Sequence, residues 1–159
     1  NGIRTVVEYR RPQRTGIWLD GSETPLRVPL PGLVLIRRSE AKRIEYRLYA
    51  VRRRPQAGDA RLYHAPLPNV SGGGGICWGS VPRPQGDALH PVRLAADWDV
   101  LLGSRFGDHT VSGKSRKYPR DVRQRIIELD QQQAERYPVN DLIPVATLEK
   151  AIADVVHHL

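Results

Sequence analysis

The chain has 159 residues, a formal net charge of +8, one cysteine and no methionine. That length bounds one domain, residues 1–159, with mass enough for a real core; no run is long and apolar enough to cross a bilayer and no signal-peptide pattern opens it. A single cysteine excludes an intramolecular disulfide framework and a cysteine-based zinc site, and no cofactor is expected. A working thiol would suit a reducing, cytoplasmic compartment. Because the sequence begins at Asn1 and holds no Met, its natural start is expected to lie outside it. The charge is uneven: residues 1–54 carry 13 Lys and Arg against 5 Asp and Glu, whereas residues 55–159 carry 12 against 12. Arg10-Arg11, Arg37-Arg38, Lys42-Arg43 and Arg52-Arg53-Arg54 hold most of the excess. Such a face keeps a protein soluble, or meets an acidic protein partner or nucleic acid. The aromatic interleaving that single-strand binders use is sparse.

Ile3, Val6, Val7 and Tyr9 predict a short strand within residues 1–10, ended by Arg10-Arg11-Pro12. Ile17-Trp18-Leu19 predicts a second, ahead of Asp20-Gly21, a hairpin-type dipeptide. Three prolines between Pro25 and Pro31 argue against helix and for an extended connection. Leu33-Val34-Leu35-Ile36 is a β-type apolar run, Ser39 to Arg43 a polar turn, and Ile44 to Val51 the clearest strand. Pro55 to Asp59 turns the chain, and Leu62-Tyr63-His64 is one more short strand. The expectation is an antiparallel meander.

The meander leads into the stretch Leu62 to Gly79, which holds Cys77, and Asn69 eight residues before it, with Gly72 to Gly75 between them. Four consecutive glycines cost backbone entropy, so they imply a tight path or the close approach of another backbone. A thiolate forms acyl intermediates. A carboxamide donates hydrogen bonds to the oxyanion that develops when an amine attacks the thioester. The plainer uses stand beside these. A lone cysteine is most often an inert buried hydrophobe, and Pro-Asn before glycines is most often a turn.

Pro68-Asn69-Val70, six further residues and then Cys77, preceded by Gly74-Gly75-Ile76, resembles the active-site segment of ubiquitin-conjugating enzymes. That family carries His-Pro-Asn with its cysteine eight residues after the asparagine. Leu67 stands here where the family has histidine, and Trp78 where it has leucine. The wording of residues 62–79 is closer to a bacterial branch, the B proteins of the ParB-related, ThiF-related (PRTRC) cassette. The resemblance is strong over residues 62–79 and extends from about Leu33 onward. It implies an α+β, ubiquitin-conjugating-enzyme-like fold: antiparallel sheet, active-site loop, then C-terminal helices. The family's first helix finds no candidate in residues 1–24.

After Gly79 a proline-rich loop is expected through Pro91, then a helix from Leu94 to Leu102 with Asp97 and Asp99 exposed and Trp98 in the core. Gly113-Lys114-Ser115 has the ending of a phosphate-binding loop, but the first glycine that motif requires is Asp108. Ser104-x-Phe106-x-x-His109 resembles a motif of the bacterial group downstream of its cysteine. A histidine there would exchange a proton near working pH, or simply bond to backbone. Pro119 to Arg136 predicts a helix, with Val122, Ile126, Ile127 and Leu129 on its apolar face. Leu148 to Val156 predicts the last, with Leu148, Ile152, Val155 and Val156 on one side. The terminal His157-His158 reads as a frayed end.

The resemblance implies an enzyme. Cys77 would accept a ubiquitin-like protein from a ThiF-like activating enzyme and pass it to an amine on an acceptor protein. Asn69 would stabilise the oxyanion, and Asp108, Asp87 or His109 would take the amine's proton. Two rival expectations are a catalytically inactive conjugating-fold interaction protein and a basic nucleic-acid-binding module.

Overall fold

The computed structural model describes residues 2–41, 43–82, 84 and 93–157. Eight strands and three helices follow one another as β1 (Arg4–Arg10), β2 (Gln13–Leu19), β3 (Leu26–Leu30), β4 (Gly32–Glu40), β5 (Arg43–Val51), β6 (Arg61–His64), α1 (Ala95–Gly103), β7 (Arg105–Phe106), α2 (Val122–Gln131), β8 (Pro144–Thr147) and α3 (Leu148–His157). The expected α+β order is present. Sheet, cysteine loop and helices succeed each other as the resemblance implies.

The strands form two sheets. An antiparallel five-stranded sheet runs β1-β4-β5-β6-β8, and a small one runs β3-β2-β7. Only β4, β5 and β6 are a consecutive meander. The proline-bearing stretch 25–31 is strand rather than plain connection, because β3 lies at an edge. There a proline removes no ladder bond. Its free edge is met by α2, where Asp130 Oδ1 accepts the Arg27 N–H at 2.7 Å. β1 therefore skips the hairpin and pairs with β4, Val7 opposite Ile36.

Leu33 to Ile36 is apolar throughout because both faces of β4 are covered. Leu33 and Leu35 face β2, β3, α1 and α2, in a core with Ile17, Val28, Leu101 and Ile126. Val34 and Ile36 face α3, with Ala151 and Val155. Val156 is exposed, so Ala151 takes the place in that apolar stripe that the sequence suggested for it. Likewise Ile127 is exposed and Arg125 is buried on α2.

Two helix limits are tighter than periodicity predicts. α2 starts at Val122 because the Asp121 side chain caps it, accepting the Arg123 N–H. It stops because Gln133 takes a left-handed backbone, φ 48°. The expected exposure of Asp97 is also overturned. Asp97 is 0 % exposed, accepting from Arg37 at 2.9 Å and from the Tyr46 hydroxyl at 2.5 Å. A carboxylate can be buried when it is paired in this way. Arg37 and Arg38 are themselves buried, so they leave the basic surface to which their sequence seemed to assign them.

Candidate active site

The residues from Ala65 to Gly79 form a hairpin-shaped loop laid along β5. β6 pairs with β5 only at Tyr49 and Ala50, which leaves the earlier part of β5 open on that side. The glycine segment fills this space. The Leu48 N–H donates to the Gly74 carbonyl at 2.8 Å, and Arg47 bridges Gly75. Gly74 has φ 84°, and a Cβ there would sit 2.7 Å from the Tyr49 ring. The Tyr49 hydroxyl donates to the Gly73 carbonyl at 2.7 Å. Gly74 is thus explained by a backbone pressed against a tyrosine, whereas a Cβ at Gly72 would meet nothing within 4 Å.

The two arms of the hairpin bring Asn69 and Cys77 together. Val70 bridges Ile76, and the Cys77 N–H donates to the Asn69 carbonyl at 2.7 Å. Cys77 is exposed. Its neighbour Trp78 packs edge-on against Tyr46, ring centroids 5.3 Å apart. Burial raises the Tyr46 hydroxyl's pKa, as does its bond to Asp97, so it remains a donor. Arg37, Asp97, Tyr46 and Trp78 form a connected support reaching the residue after the cysteine.

Asn69 holds a left-handed backbone, φ 61°. Its N–H donates to the His109 carbonyl at 2.9 Å. Its Oδ1 is buried and, among the described residues, accepts no hydrogen bond. A second chain segment therefore builds the same place. Gly107 lies against Asp20 and Asn69: a Cβ at Gly107 would be 3.2 Å from Asp20 Oδ2 and 3.8 Å from Asn69 Oδ1. β7 delivers this segment by pairing with β2, Leu19 beside Phe106.

A groove of about 580 Å³ opens here, lined among others by Asp20, Asn69, Trp78, Asp99, Ser104 and His109. Cys77 is not itself among the lining residues, but its chain neighbour Trp78 and its hydrogen-bond partner Asn69 are. Of the other expected residues, His109 lines the groove with its ring largely exposed, and its Nε2 lies 3.9 Å from Asp108 Oδ1. Asp108 is not among the lining residues. Asp87 lies outside the described residues. Asp20 and Asp99 are groove carboxylates that the sequence did not mark as site residues. The sequence signal of Asp20 was a hairpin turn, and the β2–β7 pairing carries it to the groove. No group of three or more His, Cys, Asp or Glu side chains is placed to hold a metal ion among the described residues.

The model of prokaryotic E2 family D matches residues 1–145. The chain belongs to that family. Neither the curated proteins nor the solved structures compared with it gave a match. The family match includes β1 and β2 as well as the cysteine loop. Membership points to ubiquitin-like protein conjugation in general, with ubiquitin-like proteins and activating enzymes as the general classes of partner. The closer likeness to the cassette branch rests on residues 62–79 alone. No helix of this E2 is long and apolar enough to cross a membrane among the described residues.

Proposed function

We propose that Cys77 carries a ubiquitin-like protein as a thioester and transfers it to an amine. The carrying observation is the exposed Cys77, hydrogen-bonded through its N–H to the carbonyl of Asn69, a residue that lines a groove. In the first step the Cys77 thiolate attacks the thioester carbonyl held by a ThiF-like activating enzyme, and that enzyme's thiolate leaves. Exchange between similar thiols is near balance and needs no general base. In the second step an amine of the acceptor protein attacks the Cys77 thioester. The Asn69 carboxamide donates to the oxyanion. The Cys77 thiolate leaves, and the amine's proton passes to a base, for which His109, Asp108 and Asp20 are the nearby candidates. A cytoplasmic setting would keep the thiol reduced.

The test is charging by the activating enzyme and ubiquitin-like protein. Wild type should form a thiol-labile adduct, Cys77→Ser a thiol-resistant ester and Cys77→Ala none. An adduct on Cys77→Ala would assign the reaction to another residue. No adduct on wild type would leave the catalytically inactive interaction protein, for which Leu67 in place of the family's histidine is the supporting residue.

A further inference from the structure

Lysine is scarce in this chain, with 4 against 21 arginines. One of the 4 is Lys114, only 2 % exposed. Among the described residues it has no ion-pair partner. Its ammonium Nζ donates to the carbonyl oxygen of Leu67 at 2.5 Å. Burying an ammonium without a counter-charge is costly, and such groups cluster where function needs them. Burial pushes its pKa down to about 8.

The loop that delivers Lys114 is itself anchored. Asp141 accepts from the Ser115 hydroxyl at 2.6 Å, the Lys117 N–H at 2.8 Å and Arg125 Nε at 3.0 Å. Gly113 takes φ 76° and its N–H donates to the Pro119 carbonyl. The Gly113-Lys114-Ser115 triplet, which imitates a phosphate-binding loop in sequence, is thus a built brace. It ends on the carbonyl two residues before Asn69. A flexible stem with a point charge suits that single inward bond. A guanidinium fork, used at 21 other cationic positions, carries five donors where Lys114 makes a single hydrogen bond among the described residues.

We propose that Lys114 is a positioning residue of the active site, clamping the Leu67 carbonyl so that Asn69 is presented to the groove beside Cys77. The clamp and the Asn69 N–H bond to His109 hold the Pro68-Asn69 turn from two sides. This rests on the reading of Asn69 as an oxyanion donor, so the experiment separates the two.

Cys77 is charged with a short peptide thioester, without any activating enzyme, and discharged onto free lysine. Lys114→Met should charge within about twofold of wild type and discharge about 10²-fold slower, the scale of losing one oxyanion donor. Asn69→Gly should discharge as slowly, and the Asn69→Gly, Lys114→Met double variant no slower than either. Lys114→Gln, which keeps an N–H donor group without a charge, should recover most of the rate. If the two losses multiply in the double variant, Lys114 does not act through Asn69 and the proposal falls. A readout independent of catalysis is the Asn69 side-chain amide resonance in the uncharged protein. It should move in Lys114→Met and return toward wild type in Lys114→Gln. Unmoved resonances would overturn the clamp even if discharge slows. Moved resonances with wild-type discharge in Asn69→Gly would keep the clamp and remove the role given to Asn69. If Lys114→Met does not fold, the Lys114→Gln and Lys114→Arg pair carries the test: Gln near wild type and Arg slow supports the clamp, and the reverse overturns it.

Discussion

In the proposed reaction Asn69 has two jobs that substitution can separate. Its left-handed backbone would cost an alanine about 1–2 kcal/mol, whereas glycine takes the same φ freely. Asn69→Gly therefore removes the carboxamide with the least disturbance of the turn. Discharge of the Cys77 thioester to an amine should slow by about 10²–10³ while charging is unchanged. Single-turnover assays of each step check this, and equal loss in both would make Asn69 a scaffold residue only. Arg37 tells a different story from the one its sequence suggested. It is buried against Asp97, which also receives Tyr46. Arg37→Glu would set two carboxylates face to face in the core, and breaking a buried pair costs about 3–5 kcal/mol. Urea unfolding should show a loss of that order, and a wild-type midpoint would place Arg37 outside the core. A charge-reversal experiment at Arg37 or Arg38 reports on folding, so neither can probe a docking surface.

At the scale of elements, the glycine hairpin and the 113–118 loop hold the site, and they differ in how legible they were. Gly72 to Gly75 announced a close approach, and at Gly74 the Tyr49 ring supplies it. Gly74→Ala adds a Cβ 2.7 Å from that ring on a backbone of φ 84°. The left-handed penalty alone is about 1–2 kcal/mol. Chemical denaturation should register at least that, together with a changed alkylation rate at Cys77. β5 and α3 were legible because apolar period reports a buried face, and β4 because an unbroken apolar run reports a strand covered on both faces. Asp97 and Arg37 were not, because each is polar alone and buried only as a pair contributed by two distant elements. Lys114 was hidden for the same reason: nothing local marks Leu67 as its acceptor. Its titration gives a further test. The folded pKa is about 8 and the unfolded value 10.5. Between these the unfolded chain binds more protons, so this group makes stability rise with pH. Below pH 8 both states are protonated and the contribution is flat. Denaturant midpoints should climb between about pH 8 and 9.5, before tyrosines ionise near 10. The climb should vanish in Lys114→Met, and its persistence there would assign it to another group.

Across the whole molecule, the basic excess of the first third is spread more widely than one patch. With Arg37 and Arg38 buried, Arg4, Arg11, Arg14, Arg27 and Arg43 stay exposed along the strands, and Arg52, Arg53 and Arg54 are exposed together past the end of β5. Arg52, Arg53, Arg54 and Arg61 line a cleft of about 520 Å³. Arg52 lies over the Tyr63 ring and donates to the Val139 carbonyl, and Arg54 lies over Tyr9, so these two also serve packing. Among the described residues, Arg53 and Arg61 are the exposed members with no such contact. Trp78 packs at Tyr46, six residues before Arg52 along β5, which is about 20 Å of strand. That exceeds the Debye length of about 8 Å at physiological salt. The cleft therefore does not set the cysteine's own field, and its effect should appear only when a partner arrives. For an acidic partner such a patch mainly raises the association rate. Arg53→Glu with Arg61→Glu should slow charging of Cys77 by the activating enzyme at low salt, with the deficit shrinking as salt rises. Charging by a small peptide thioester, which needs no docking, should match wild type, and so should discharge. A deficit with the small thioester too would mean that the substitutions disturb the fold. Normal enzymatic charging with loss of salt-dependent DNA binding would instead give the cleft to nucleic acid. The two arms use the same double variant, so one protein preparation decides between an acidic protein partner and a polyphosphate.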